Sequence, residues 1–315
     1  MPHVIALAVL LGIVNAFETP TRQAFVLEMV EDKRDLPNAI ALQSMIFQAA
    51  RFIGPGIAGL ILAAFGEAWC FLVNAATYLA IVAAYSLIRV KPRAARRHDD
   101  AWWQAMVSGF RYAFGFVGTR RLLLLLAALG FFSAPWSSLM PILAAETFGG
   151  DSRTFGFLIG AVGLGAFAGT LFLALRASVR GLGRVVAATT ITAGVALTAF
   201  ALSSTLWLSL ALLAVFGFGV VVTAASTNTI LQTLADEDKR ARVISLYVMS
   251  FLGLAPLGNF TAGAVAEIIG VHPTLFVCGL AISAAGVAFA LRLESWAQAV
   301  RVVYARQGIS GEPRR

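Results

Sequence analysis

Apolar residues form long, nearly unbroken runs along this chain, and polar residues collect in the short segments between them. Most runs are apolar around the whole helical circumference rather than along one stripe, which indicates contact with lipid and neighbouring helices. A run of about 17 to 25 residues can cross a bilayer as a helix. The sequence predicts nine spanning helices, near residues 2 to 17, 39 to 65, 68 to 88, 122 to 143, 155 to 175, 184 to 203, 206 to 230, 243 to 269 and 273 to 291.

The composition agrees with this pattern. Of the 315 residues, 59% are apolar and 13% are charged, whereas a soluble domain carries about 25% charge. Such a chain lacks the polar surface that a water-soluble fold of this size needs. We therefore predict an all-α, multi-pass protein of the inner (plasma) membrane, with the lipid bilayer as its main partner; its oligomeric state is left open.

The net charge of +8 orients the chain rather than pointing to nucleic acid. If alternate loops face the cytoplasm, those loops and the C-terminal tail hold 22 of the 24 Lys and Arg residues. The positive-inside rule then predicts a cytoplasmic C-terminus. No stretch combines a basic stripe with base-stacking aromatics, so nucleic-acid binding is not expected.

Cysteine and histidine give no sign of a metal site or of catalysis. Cys70 and Cys278 are isolated, and His3, His98 and His272 are far apart in the sequence. They lack the spacing of zinc ligands, and no nucleophile and base pattern accompanies them. We expect no metal, no cofactor and no enzyme activity.

An internal repeat explains how the spans are organised. Residues 38 to 66 align with residues 242 to 270 at an offset of 204, with eight identities over 29 positions that include Gly54 with Gly258 and Gly59 with Gly263. Two parallel six-helix halves are a recurrent architecture of secondary transporters. The later copy lies in the fifth of six spans, and the earlier copy in the second of three. The nine spans therefore represent three helices of one half plus six of the other, and we expect three further helices upstream of Met1.

This organisation predicts four regions. Residues 1–90 hold the last three helices of the N-terminal half, and residues 91–121 form a basic cytoplasmic connector with an amphipathic interfacial helix. Residues 122–293 form the C-terminal six-helix half, and residues 294–315 are a cytoplasmic tail.

Arg51 is the strongest functional candidate, because it lies near the middle of the second span without an acidic residue within a turn. A cation there must face the bundle interior, as a substrate or coupling contact or as a tie to another helix. Gly54, Pro55 and Gly59 follow on the same span and form a kink or a tight gate. A second span carries glycines at helical spacing, for which close packing is favoured over gating: Gly156, Gly160, Gly165 and Gly169.

Other polar residues on predicted spans join Arg51 as candidates for a substrate or coupling cavity: Gln48, Asn74, Asn228 and Gln232. The last two belong to a polar run that also contains Thr223, Ser226, Thr227 and Thr229, which serves either a cavity or hydrogen bonds between helices. Candidates for a cytoplasmic gate are Glu18, Arg22, Arg184, Arg240 and Arg242. A surface ion pair is the alternative for Glu18 and Arg22.

With these residues in view, the chain resembles the major facilitator superfamily, and within it the branch of enterobactin exporters and macrolide-efflux-type permeases. The resemblance rests on residues 15–30, 38–59, 180–184 and 228–263. It implies that the nine spans are the fourth to the twelfth of a helix bundle. GPGIAG at 54–59 resembles the antiporter motif of the fifth helix, with Ala58 in place of one glycine. Ala8 stands where drug antiporters often carry an arginine, and no Asp precedes Gly183 and Arg184 in their loop.

The leading hypothesis is a secondary active transporter that exports a small amphipathic molecule, such as a siderophore, drug or metabolite, by alternating access with the proton as coupling ion. One alternative is an importer or facilitator on the same fold. The other is an inactive truncated product that lacks the first three helices.

Overall fold

The structure, a computed structural model, describes residues 67–87, 114–150, 152–176, 181–235 and 239–306, together with positions 46, 50, 61, 65 and 111. These ranges are helical and contain no strand. Their α-helices are α1 (Glu67–Leu87), α2 (Val117–Ser133), α3 (Pro135–Glu146), α4 (Ser152–Ala174), α5 (Leu182–Ala201), α6 (Leu206–Leu234), α7 (Arg240–Val248), α8 (Ala255–Ile269), α9 (Val271–Leu291) and α10 (Leu293–Arg306). A π-helical turn, Met249–Gly253, lies between α7 and α8.

Seven stretches of the described ranges are long and apolar enough to cross a membrane: Ala68–Leu87, Val117–Glu146, Arg153–Ala174, Leu182–Ala201, Leu206–Leu234, Arg242–Ile269 and Val271–Leu291. They coincide with seven of the predicted spans. The predicted spans at 2 to 17 and 39 to 65 lie outside the continuous described ranges, so the total of nine stays a prediction. The all-helical membrane architecture is confirmed for the described part.

Contacts divide the chain into two compact units, residues 1–47 with 71–97 and residues 48–70 with 98–315. From residue 71 onward, helix α1 belongs to the first unit, and most of its side chains are exposed. Helices α2 to α10 form a bundle in the second unit. Within it, α4 packs against α6, α5 against both α6 and α9, and α2 against α8 and α9.

Paired glycines bring the bundle helices into backbone contact. A methyl group added to Gly165 of α4 would overlap the carbonyl oxygen of Ala214 on α6, and one added to Gly217 of α6 would overlap the carbonyl oxygen of Val162 on α4. Small residues at such crossings let dispersion forces act between backbones, which is a main source of stability between helices in lipid. The predicted packing role therefore holds for Gly165, whereas Gly160 has open space beside it.

The same arrangement recurs at two further crossings. Gly194 of α5 and Gly279 of α9 each lie against the other's carbonyl oxygen. Gly130 of α2 lies against the carbonyl of Phe251 in the π-helical turn, and Gly258 of α8 lies against the carbonyl of Phe131. Gly258 is the repeat partner of Gly54, so the second copy of this glycine is a packing position between helices.

One end of the bundle, which we call the basic end, is defined by the start of α2, the start of α5, the ends of α6 and α9, and helix α10. Buried apolar side chains from these elements form one cluster, which includes Leu122, Val186, Leu234 and Phe289. Helix α10 docks on this cluster through Trp296 and Val300, while Arg301 is exposed. The first residues of the predicted tail are thus a helix that packs on the bundle.

The opposite end is held by His272, the second residue of α9. Its Nδ1 lies 2.8 Å from the carbonyl oxygen of Ala201 at the end of α5. A carbonyl can only accept, so Nδ1 carries the hydrogen. In the neutral ring, Nε2 then accepts from the hydroxyl of Thr147, which lies 2.8 Å away at the end of α3. One imidazole therefore ties three helix ends together.

Candidate functional site

A cavity of about 430 Å³ opens inside the bundle of the second unit. Its volume lies in the range of about 300–1,000 Å³ that is typical of small-molecule sites. Four spanning stretches contribute to its wall: α2 with α3, α4, α6, and α7 with α8. The lining residues are Gly130, Ser133, Ala134, Trp136, Ser137, Val162, Ala166, Phe216, Gly217, Val220, Val221, Ala224, Ala225, Asn228, Tyr247, Phe251, Leu252, Ala255 and Asn259.

The wall of the cavity is mainly apolar and aromatic. Trp136 and Phe216 meet edge to face, with ring centroids 6.0 Å apart, and Tyr247 and Phe251 lie 6.5 Å apart. Aromatic faces and edges of this kind bind flat apolar groups of a ligand. The lining residues include no charged side chain. Their side-chain hydrogen-bonding groups come from Ser133, Ser137, Asn228, Tyr247 and Asn259, with the Trp136 indole N–H.

Two interrupted helices form one side of the cavity. The helical hydrogen bonding of the first span is interrupted at Ala134, although its backbone stays in the α-helical region, because Pro135 has no N–H to donate. The second interrupted helix is α7, which widens into the π-helical turn; regular α-helix resumes with α8 at Ala255, just before Pro256. π-Helical turns lengthen the hydrogen-bonded loop by one residue and are frequent at functional sites. Both interruptions contribute lining residues, among them Ser133 and Phe251.

Each of the two asparagines in the cavity is held by a neighbouring polar side chain. The Nε2 of Gln232 donates to the Oδ1 of Asn228 over 3.1 Å, one turn further along α6. The hydroxyl of Ser138 on α3 lies 3.1 Å from the Oδ1 of Asn259 on α8. In both residues one end of the amide is engaged by protein, which leaves the other end for a ligand.

The polar run on α6 is divided among three environments. Thr223 is fully buried and hydrogen-bonds to Thr189, over 2.8 Å, and to Thr190, over 3.2 Å, both on α5. Asn228 faces the cavity, and Thr229 is exposed with its hydroxyl donating back to the carbonyl of Ala225. Both interpretations of the run, a cavity wall and hydrogen bonds between helices, therefore apply to different members of it.

The structure places the predicted site residues as follows. Asn228 lines the cavity, and Gln232 orients it without lining the cavity itself. Asn74 lies on α1, in the other unit, with an exposed side chain. Arg184 is exposed near the start of α5, Arg242 is half-buried on α7, and Arg240 is the first residue of α7. Arg51, Gln48, Gly54, Pro55, Gly59, Glu18 and Arg22 lie outside the described residues.

The sequence prediction missed several residues that the cavity brings together, above all Trp136, Tyr247 and Asn259. The repeat carries the signal that could have found Asn259. At the offset of 204, the lining residues Leu252, Ala255 and Asn259 align with Gln48, Arg51 and Pro55. Trp136 and Tyr247 carry no comparable signal, because aromatic residues are common on faces that touch lipid.

Known proteins similar to this chain carry the names of transporters. The chain is 27% identical over 282 residues to the staphyloferrin A transporter of Staphylococcus aureus. The aligned region covers 88% of this chain and 69% of that protein. It is 27% identical over 256 residues to the multidrug efflux pump Tap of Mycolicibacterium fortuitum, covering 80% and 62%. It is 29% identical over 239 residues to the enterobactin exporter EntS of Escherichia coli O1:K1 / APEC, covering 73% and 56%.

The chain therefore spans 56% to 69% of the length of these three relatives. A family model described as transmembrane secretion effector matches residues 2–306, almost the whole chain. The relatives carry the names of transporters and not of enzymes. This multi-pass membrane protein belongs to the transmembrane secretion effector family of the major facilitator superfamily of transporters.

Proposed function

We propose that the chain forms part of a secondary active exporter, which moves a small amphipathic molecule out of the cell by alternating access with proton antiport. The observation that carries this proposal is the cavity. Its aromatic, uncharged wall with a few hydrogen-bonding groups suits a ligand that has apolar rings and oxygen or nitrogen atoms. Relatives named for siderophore transport, enterobactin export and multidrug efflux support a substrate of this class.

The repeat supports a place for Arg51 in the same mechanism. Leu252 and Ala255 line the cavity of the second unit, and they align with Gln48 and Arg51 at the offset of 204. If the halves share their helix orientation, Gln48 and Arg51 face the matching surface of the first half. The described residues that line the cavity carry no charge, so we assign the contact with an anionic group, or with the coupling ion, to Arg51.

The distribution of basic residues supports the orientation. Described residues of the basic end include Arg120, Arg121, Arg184, Arg292 and Arg301, and the sequence places almost all Lys and Arg in loops of that side. The positive-inside rule assigns this end to the cytoplasm. We therefore propose an inner-membrane location with helix α10 and the C-terminus in the cytoplasm.

The proposal is tested with inside-out membrane vesicles that contain the chain, expressed with any coding sequence that continues in frame upstream of Met1. Staphyloferrin A, enterobactin and ethidium serve as probes under an imposed pH gradient. We expect uptake of at least one probe into the vesicles, which corresponds to export from the cell, and its collapse when the gradient is dissipated.

Two variants sharpen this test. Arg51→Ala should abolish transport and Arg51→Lys should retain part of it, because lysine keeps the charge but loses the forked geometry of the guanidinium. Accumulation in right-side-out vesicles instead would establish an importer. Transport at the wild-type rate by Arg51→Ala would remove Arg51 from the mechanism.

A further inference from the structure

The two interrupted helices that line the cavity are joined to each other on the far side of their interruptions. Helix α3 follows the break at Ser133–Pro135, and α8 follows the π-helical turn. We call α3 and α8 the outer segments, since both lead from the cavity to the opposite end of the bundle. They contact one another. Two helix segments that begin at adjacent breaks can move as a pair relative to the remainder of their spans.

Glycine contacts between the two helices hold their interruptions next to each other. Gly130 lies against the carbonyl of Phe251, within the π-helical turn, and Gly258 lies against the carbonyl of Phe131. Contacts between backbones leave no side chain to absorb a displacement, so a shift of one helix at this level is transmitted to the other. The two interruptions therefore form one hinge region that both helices share.

One polar contact joins the outer segments and also reaches the cavity. The hydroxyl of Ser138 on α3 lies 3.1 Å from the side-chain amide of Asn259 on α8 and 3.1 Å from the carbonyl oxygen of Pro135, the first residue of α3. Asn259 lines the cavity, and Ser138 is not among the lining residues. Either orientation of the amide leaves one end on Ser138 and the other end for a ligand, because a hydroxyl can both donate and accept.

We propose that Asn259 contacts the transported molecule and that its hydrogen bond to Ser138 couples cavity occupancy to the position of the outer segments. A ligand that holds the free end of the amide fixes the side chain, and the fixed side chain in turn holds α3 against α8. The ligand chemistry that Asn259 selects is an oxygen or nitrogen atom able to form a hydrogen bond. The substrate contact rests on the proposed function, whereas the coupling of the outer segments does not.

The coupling is tested first without ligand. Spin labels are placed on Ala145→Cys and Ile268→Cys, which are exposed positions near the ends of α3 and α8, in a chain with Cys70→Ala and Cys278→Ala. We expect Ser138→Ala and Asn259→Ala each to broaden the distance distribution between the labels. The double variant should broaden it no further, because both single changes remove the same bond.

Thr261→Val on α8 is the matched control. Thr261 is exposed, and its hydroxyl donates within its own helix to the carbonyl of Leu257 over 2.9 Å. This variant should leave the distribution as in the unsubstituted chain. Additive broadening in the double variant, or no broadening in either single variant, would overturn the coupling.

The substrate contact is tested by transport of staphyloferrin A, enterobactin and ethidium. Asn259→Asp keeps the shape of the side chain and an acceptor for Ser138, so it should preserve the label distance. Asn259→Ala removes the amide without adding a charge, and it should raise KM for a hydrogen-bonding probe by about three- to tenfold, which corresponds to the net value of one hydrogen bond. Ser138→Ala should change the label distance with a smaller effect on KM.

The possible failures are distinct. Transport by the unsubstituted chain with unchanged KM in Asn259→Asp and Asn259→Ala would overturn the substrate contact and leave the proposed function in place. Absence of transport of every probe by the unsubstituted chain would count against the proposed function and against the substrate contact with it. The ligand-free distances would still decide whether Ser138 and Asn259 couple the outer segments.

Discussion

The indole N–H of Trp296 donates to the backbone carbonyl of Gly118 across 3.0 Å, and this bond fastens helix α10 to the start of α2. Trp296 is 4% exposed, and its ring also lies against Gly183 at the start of α5. Arg121 adds a second attachment, with its guanidinium donating to the carbonyl of Arg292 and to the hydroxyl of Ser295. Helix α10 therefore joins the starts of α2 and α5 to the end of α9.

Trp296→Phe should lower the stability of the bundle. The substitution keeps a ring but removes the indole donor from the carbonyl of Gly118. This carbonyl lies within α2 and still accepts from its own helix, so the expected cost is the net value of one hydrogen bond, about 0.5–1.5 kcal/mol. Trp296→Ala should cost about 3–5 kcal/mol, because it also empties the space beside Gly183. Thermal unfolding in detergent measures both. Trp207→Phe is the control. Because Trp207 is 79% exposed, this variant should unfold at the same temperature as the original chain. Equal midpoints for Trp296→Phe and the original chain would show that the bond contributes nothing.

Gly165→Ala and Gly217→Ala should each force α4 and α6 apart, because the added methyl groups meet the carbonyl oxygens of Ala214 and Val162. Overpacking of this kind costs about 1–3 kcal/mol. Gly160→Ala tests the same change on α4 at a position with nothing within 4 Å, and should have little effect. Thermal midpoints of the three variants can be compared directly. A loss at Gly160 as large as that at Gly165 would contradict a role for close backbone approach.

Thr223→Val should destabilise the contact between α5 and α6. It removes the hydroxyl that bonds Thr189 and Thr190 while keeping the volume of the side chain. Hydrogen bonds between membrane helices contribute about 0.6 kcal/mol on average and up to about 1.7 kcal/mol. Thr229→Val is the control on the same helix, as its hydroxyl is exposed and bonds only within α6 in the described contacts. Urea or detergent titration of unfolding would detect the difference, and equal shifts in both variants would refute it.

Substitutions of His272 should separate its two bonds. Asparagine places an amide N–H where Nδ1 stands and can keep the bond to the carbonyl of Ala201, whereas glutamine reaches the Nε2 position and can keep the contact with Thr147. Loss of the bond to a buried carbonyl is the costlier of the two, so His272→Gln should be less stable than His272→Asn by about 1 kcal/mol. Thermal unfolding ranks the variants. The reverse order would show that the Thr147 contact dominates.

Hydropathy predicted the spans well for a definite physical reason. A backbone in lipid has to satisfy its own hydrogen bonds, so an apolar run of sufficient length becomes a helix whatever its neighbours are. All seven predicted spans in the described ranges coincide with such helices, as at Leu182–Ala201 and Val271–Leu291. The interruptions were harder to place. Pro135 and Pro256 are visible in the sequence, but no residue pattern marks the π-helical turn at Met249–Gly253, in which the backbone of Phe251 lies against Gly130.

Of the predicted cavity residues that the structure describes, Asn228 lines the cavity. It was predicted because polar residues are rare within spans, and Gln232, predicted with it, donates to Asn228 without lining the cavity. Thr223 and Asn228 are five residues apart on one helix, yet one bonds α5 and the other faces the cavity. No sequence pattern separates these roles, because the polar residues of α6 occupy more than one helix face.

The sequence alone was enough to predict that this protein is helical and spans the membrane repeatedly, and that most of its cations lie between the apolar runs. It also shows that residues 242–270 resemble residues 38–66. The spans and the placement of the cations depend on the free energy of transferring each side chain from water to lipid, and this free energy is a property of the residue type. The three-dimensional structure was needed to see which residues meet at the cavity, which glycines touch a neighbouring backbone, and that Trp296 holds helix α10 on the bundle. Within lipid these choices follow from packing between helices, where shape rather than hydrophobicity distinguishes one arrangement from another.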